Sequence, residues 1–496
     1  MKQFCVAGIC SLLFSGVLVA QNASDFKKRF NEEVRGDIVV IGNSILNREE
    51  SRDKPNTPYD DVSSKAKLND HFTMKYIDVD NNQNTYSSSS ATLRIVSDKG
   101  FSLKYAGLYW AATYPYASGA RNGNKGIEIT DKNRNNPASV LLKLPSQNQY
   151  TPVSGTIIFD GFYAFNNVDF KGADPYVAYA DVTELVKNQS SIQGEYFVGN
   201  VNAAVGDVAG GAAAGWILVF IYEENGASPK RITTFDGFSA QSINLNFGEF
   251  TIPASNSPKA RFIGAALDGD RNITGDKIVG HFPQGNSTFF LMEKNRDKDD
   301  FFNSSITRNN DIVTARNPSA KNTLGFDLYD IDFSTYHALP VGDKALQMKI
   351  IPASDKVFSF FNALAIETTN AATAAVASNS SRPPEKMENT DVAEALEKQG
   401  VTTTISDNEV RNLQINNADP GYYNIVGVYY NSESVIRLID ALNKKGYEAN
   451  YLFDDKTYYH YIYTHYSESF EEALKIRGEL LKDASAKGSW ILAVGK

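Results

Sequence analysis

Two stretches near the C-terminal end, "YYNIVGVYY" (residues 422–430) and "YYHYIYTHY" (residues 458–466), concentrate hydroxylated rings on what alternation makes adjacent strands. Tyrosine offers an apolar face for stacking and an O–H for hydrogen bonding, so rings on an exposed sheet suit flat, hydroxylated ligands such as sugars. In the second stretch, period 2 sends Tyr458, His460 and Ile462 to one face and Tyr459, Tyr461 and Tyr463 to the other. The bland alternative is that these rings only bridge the sheet to its helices.

A second chemistry is written in carboxylates. "LDGDRNITGD" sets Asp268, Asp270, Asn272 and Asp276 at alternating positions around a Gly-containing bend, and "DVDNNQN" repeats the ladder through Asp78, Asp80 and Asn82. Oxygen ligands so spaced suit a hard cation such as Ca²⁺. No glutamate stands at the twelfth position of an EF-hand, and Asp-Gly and Thr-Gly are ordinary turn dipeptides, so the turn reading is preferred at both places.

Catalytic signatures do not emerge. The five histidines show no His-Glu-x-x-His spacing, and no Gly-x-Ser-x-Gly elbow occurs. "VGDVAGGAAAG" (residues 205–215) runs into a strand, where a phosphate cradle needs a helix N-terminus. The expectation is a protein that is not an enzyme. A net charge of −9 argues against nucleic acid as a partner, because phosphate-backbone binders concentrate Lys and Arg on one face.

The elements that would position these groups fall into blocks. Residues 1–20 pair Lys2 with a short apolar run ending at Ala20, the pattern of a signal peptide. Both cysteines lie inside it, so the exported chain is expected to carry no thiol, and no later run is long and apolar enough to span a membrane. Residues 21–369 alternate short apolar runs such as "GDIVVIG" and "GWILVFIYE" with Asn/Gly/Asp/Pro clusters, which indicates a mainly β fold: a β-sandwich region of one unit or two stacked ones. "ADVTELVKNQ" is the main helical exception, capped by Asp181. "FDGF" occurs at residues 159–162 and 235–238, read as two similar turns.

Residues 370–418 are rich in Ala, Ser, Thr and Asn and read as a flexible linker between independently behaving parts. Residues 419–496 switch period. Val435, Leu438, Ile439 and Leu442 form a helix face stopping at Gly446, and Ser469 with Glu472 fits a capping box. The order βαββαβ predicts a small α+β unit with two helices on one sheet face and the other face left bare.

On the Gly427-Val428-Tyr429 strand end, the "KKGY" hinge at residues 444–447 and the Glu471-Glu472-Ala473 helix start, this unit resembles the SPOR (sporulation-related repeat) domain. The resemblance implies binding of peptidoglycan glycan strands lacking peptide stems. The family's polar readers on the first strand fall on Ile425 and Val428, and its aromatic and basic positions on Tyr458 and His460; with Tyr423 and Ile462 these make the expected glycan-binding face. "VRGDIVVIGNSILNRE", "KYAGLYWAATY" and "YVAYADVTELV" are similar to an N-terminal module of surface and gliding-associated proteins of the Bacteroidota. That implies an envelope protein retained beside gliding or type IX secretion machinery, periplasmic or outer-membrane associated, with an unidentified protein or glycan partner for the β region. The alternative is a surface adhesin or lectin whose C-terminal unit docks to an envelope complex.

Overall fold

The computed structural model describes residues 24–369 and 410–495, except 81, 98, 123–125, 164–169, 171, 256, 353–355, 414, 416–417, 430–431, 454–459, 484–485 and 487–488. The signal segment, residues 370–409 and Tyr458 lie outside these. Strands dominate the described chain.

Strand β1 (Ser24–Ser44) organises the N-terminal body. Helix α1 (Thr183–Lys187) is short; its N-cap is Val182, without a side-chain cap bond, and the expected cap Asp181 stands one residue earlier, where its Oδ1 accepts from Thr183 N at 2.9 Å. Strand β2 (Ala214–Glu224) pairs with the second half of β1, from Gly36 to Ser44, and β3 (Pro229–Ser239) pairs with the first half. One long strand thereby joins two inner sheets. "WILVFIY" in β2 is buried on both faces: Trp216, Leu218 and Phe220 enter one core, and Ile217, Val219 and Ile221 enter another. A strand buried on both sides must read as a continuous apolar run, which is why alternation is absent there.

The second core lies between the two inner sheets, the first between one inner sheet and two outer five-stranded sheets. A third core lies under an outer sheet built from Ile243–Phe247, Leu346–Ile351, β4 (Lys277–Phe282) and β5 (Ser287–Phe290), with β5 at its edge. The body is therefore two stacked sandwich layers sharing their middle. The glycine-rich stretch is tightly packed: a Cβ on Gly206 would stand 1.7 Å from Gly119 O. Only the first FDGF ends a strand; the second lies inside β3, and Phe159 stacks on Phe238 at 4.5 Å. The repeated motif marks two segments that pack together and not two similar turns.

The C-terminal unit is built from β6 (Val410–Leu413), β7 (Gly421–Tyr429), α2 (Ser432–Asn443), β8 (Asn450–Phe453), β9 (His460–Ser467), α3 (Phe470–Leu480) and β10 (Trp490–Val494). Its sheet runs β6-β10-β7-β9-β8. The βαββαβ order is as read, but β6 adds a fifth strand, parallel to β10, from residues assigned to the linker. Val435, Ile439 and Leu442 of α2 are buried, each contributing roughly 1.5–3 kcal/mol by burial. After α2, Gly446 takes φ +88°, the left-handed stop its sequence position implied. Ser469 Oγ accepts from Glu472 N at 3.4 Å, whereas the Glu472 carboxylate accepts from Ser467 Oγ, so only half of the capping box forms.

The unit does not stand apart from the body. Val435, Ile439, Leu442, Tyr451 and Ile462 belong to the same buried cluster as Phe282, Phe289, Phe333 and Leu339. Phe290 N donates to Tyr451 Oη at 3.2 Å, tying edge strand β5 to edge strand β8. The independence expected from the linker composition is replaced by a shared core.

Candidate functional site

Register decides which tyrosines share a face. In the β7–β9 pair Ile425 stands opposite Tyr463 and Val428 opposite Tyr461, while Leu452 of β8 also faces Tyr461. Directly opposed residues lie on one side of a sheet. Tyr423, Ile425, Val428, Leu452, Tyr461, Tyr463 and Tyr466 consequently form one cluster, with Trp490 and Leu492 of β10. Tyr463 and Tyr466 lie 5.0 and 4.8 Å from Tyr423, ring centre to ring centre.

His460 and Ile462 point the other way. Ile462 faces Tyr451 across β8 and packs with α2, and His460, 1% exposed, lies 5.3 Å from the Phe290 ring of the body. The expected set thus divides: Tyr423 and Ile425 share the tyrosine face, and His460 and Ile462 lie under the helices and against the body. Period 2 was right, but the side expected to be open at His460 and Ile462 is the one that α2 and the body cover. Nor is the tyrosine face bare. Ile415 and Ala418, from the lead-in to β7, pack on it, leaving Tyr423 and Ile425 buried and Tyr463 and Tyr466 half-buried.

Of the half-buried rings, Tyr463 opens onto a cavity of about 210 Å³ at the seam between unit and body. Tyr423, Tyr463, Asn450 and Asp419 line it from the unit, and Asn286, Ser287, Thr288 and Pro340 from the body. Tyr423 Oη donates to Asp419 O at 3.0 Å, and Asn286 Nδ2 donates across the seam to Asp419 Oδ1 at 3.4 Å. Burial pushes the Tyr463 hydroxyl up to about 12, with the Asp419 carboxylate adding to it. Both causes also raise Tyr466.

The body wall is held in place from behind. Ser287 Oγ hydrogen-bonds His337 Nε2 at 3.2 Å, and Thr288 Oγ1 hydrogen-bonds His281 Nδ1 at 2.9 Å. Burial pushes His337 down to about 3, so its ring, stacked 4.4 Å from Phe289, stays neutral at physiological pH. Beyond Asn450 and Tyr463 the cavity continues into a wider cleft of about 640 Å³ along Tyr447, Glu448, His465 and Tyr466. Aromatic walls with amides and hydroxyls nearby can stack a flat apolar face and bond the hydroxyls around it. Sequence reasoning missed the body's share because residues 286–288 and 450–463 meet only through tertiary packing.

The carboxylate ladders are used internally. Ser88 Oγ lies 2.8 Å from Asp78 and 2.9 Å from Asp80, and Asp80 also accepts from Tyr150 Oη at 2.6 Å. Burial raises the Asp80 carboxyl, but these hydrogen bonds outweigh it and hold the group below its usual range. Asn82 Oδ1 accepts from Asn84 N, as in an Asx turn. In the other loop Asp268 and Asn272 take φ of 65° and 69°, and Asp268 accepts from Asn69 Nδ2 at 3.3 Å. Asp270 is buried beside them. Asp276 Oδ2 accepts from Phe302 N at 2.7 Å, Asp300 Oδ2 from Asn272 N at 3.1 Å, and the Arg271 guanidinium already supplies positive charge near Asp300 and Asp327. Among the described residues no three His, Cys, Asp or Glu side chains are grouped to hold a metal ion.

Burial first, then Asp300 and Asp327, push Asp276 up to about 7. The folded state therefore binds a proton that the unfolded chain releases near pH 4, and its stability falls as pH rises through that window. Asp276→Asn should remove this slope. Its advantage over the wild type should grow from pH 4 to 7, reach on the order of 4 kcal/mol, and level off above. Denaturant unfolding across that range checks it, and a pH-independent difference would contradict it.

Among the described residues no helix is long and apolar enough to cross a membrane. No family model matches the chain, and no curated protein matches it. Among solved structures it is similar to the major capsid protein P2 from bacteriophage PM2, at 9% identity over 57% of this chain and 99% of that one, with a TM-score of 0.14. A likeness that small carries no argument about fold or function.

Proposed function

We propose that the chain is a non-enzymatic protein of the bacterial cell envelope that binds peptidoglycan glycan strands at the tyrosine-lined seam of its SPOR-like unit. The observation that carries this reading is the seam cavity that Tyr423 and Tyr463 line together with the amides of Asn286 and Asn450 and the hydroxyls of Ser287 and Thr288, with Tyr466 on the adjoining cleft. Sugar rings present C–H faces that stack on aromatic surfaces, and their hydroxyls need the polar groups beside them. The βαββαβ order agrees with the resemblance that suggested glycan. Ile425 and Val428 supply no polar contact where the family has readers, so the body wall takes that part through Asn286, Ser287 and Thr288. The β body would meet a further envelope partner, in the setting of gliding or type IX secretion machinery.

Co-sedimentation of the chain, from residue 21 onward, with purified sacculi tests the reading. Binding is expected, and it should strengthen once an amidase has removed the peptide stems, which obstruct access to the sugar faces. A folded chain that stays in the supernatant with stripped sacculi would contradict the proposal.

A further inference from the structure

The chemistry of the cleft goes one step beyond glycan binding, and this step rests on that reading. Of the side chains lining the inner cavity, Asp419 alone carries a charge at neutral pH; no Lys, Arg or His is among them. The Asp419 carboxylate is exposed, and it bears electrostatically on the hydroxyls of Tyr423, Tyr463 and Tyr466, so its field covers the stacking surface itself. The outer cleft adds Glu448. Lys445, the nearest lysine in sequence, is engaged 3.1 Å from Asp483. A ligand carboxylate entering the inner cavity would meet like charge, and among the described residues lining it no Lys, Arg or His offsets that charge.

We propose that the seam cleft selects an uncharged sugar and that Asp419 rejects carboxylate-bearing ones. In a strand that alternates N-acetylglucosamine with N-acetylmuramic acid, the unit seated against Tyr463 in the cavity is then the N-acetylglucosamine. The lactyl carboxylate of its neighbour, freed when the peptide stem is removed, points away. Asn286 holds Asp419 from the body side, so the selecting charge is fixed across the seam. Because the carboxylate is exposed, salt screens the effect, and the discrimination is expected to be about tenfold at low ionic strength.

The test compares two disaccharides of equal length as competitors of sacculus binding by the chain from residue 21 onward: N,N′-diacetylchitobiose, which is neutral, and N-acetylglucosaminyl-N-acetylmuramic acid with its free carboxylate. The neutral one should compete about tenfold better at low salt. That ratio should shrink at 0.5 M salt, where the Debye length is only about 4 Å. Asp419→Asn should bring it close to one, chiefly by improving competition by the acidic disaccharide. Equal competition in the wild type, a ratio indifferent to Asp419→Asn and to salt, or failure of both sugars to compete would overturn the inference while leaving sacculus binding intact. Loss of sacculus binding altogether would instead remove the glycan reading on which it rests.

Discussion

Asp327→Ala should destabilise the body by about 3–5 kcal/mol, the largest effect expected of a single replacement here. Arg296 and Asp327 are both fully buried. Arg296 Nη1 donates to Asp327 Oδ1 at 2.7 Å and to Phe301 O at 2.7 Å, Nε donates to Thr307 Oγ1, and Nη2 reaches Ser305 O. The same carboxylate accepts from the backbone N–H of Asn303, Ser304 and Ser305. Removing it leaves three backbone donors without that acceptor and the guanidinium with the more distant Glu293, 3.7 Å away, as counter-charge, in a site closed to water, and the cost is that of poorly compensated burial. Chemical unfolding of the variant measures it. Replacing the whole ionic group, Arg296→Met with Asp327→Leu and Glu293→Gln, should be milder, because it leaves no stranded charge; Glu293, buried 3.7 Å from Arg296, would otherwise lose its counter-charge. A single-variant loss below about 1 kcal/mol would contradict this account of the 293–308 loop.

Tyr463→Ala should lower affinity for stripped sacculi by about tenfold or more, in line with losing an aromatic anchor at the centre of a contact. The ring is half-buried at the mouth of the cleft, so its removal opens the cavity to solvent instead of leaving a sealed void, and the fold should persist. Tyr463→Phe separates stacking from hydrogen bonding: it keeps the ring, and most of the affinity should stay. Circular dichroism and the unfolding midpoint establish that the variants are folded. Unchanged binding by a folded Tyr463→Ala chain would remove the tyrosine face from the site.

Local chemistry carried much of this fold in the sequence. The strand-and-turn rhythm of residues 36–368, the βαββαβ order and the Gly446 stop each depend on a few neighbouring residues, and each is found in place. The seam was not legible in the same way. Alternation separates His460 and Ile462 from Tyr461 and Tyr463, but which side α2 and the body will cover depends on packing between segments far apart in sequence. The irregularities in β7 shift the register by steps that no periodicity announces. Ile415 lies in a stretch whose composition reads as linker, yet one apolar residue suffices to pack on a sheet face. Asn286, Ser287 and Thr288 become cleft residues only because β8 comes to rest beside β5.

The measurement that bears most directly on the glycan reading is a titration of the chain, carrying ring-¹³C tyrosine, with soluble peptidoglycan strands freed of their stems. Signals are assigned through Tyr423→Phe, Tyr463→Phe and Tyr466→Phe. Saturable shifts confined to these three rings, with the buried Tyr109 and Tyr176 of the body unmoved, are the predicted result. Strands that bind while leaving the three rings unchanged, or that fail to bind the folded chain, would contradict it.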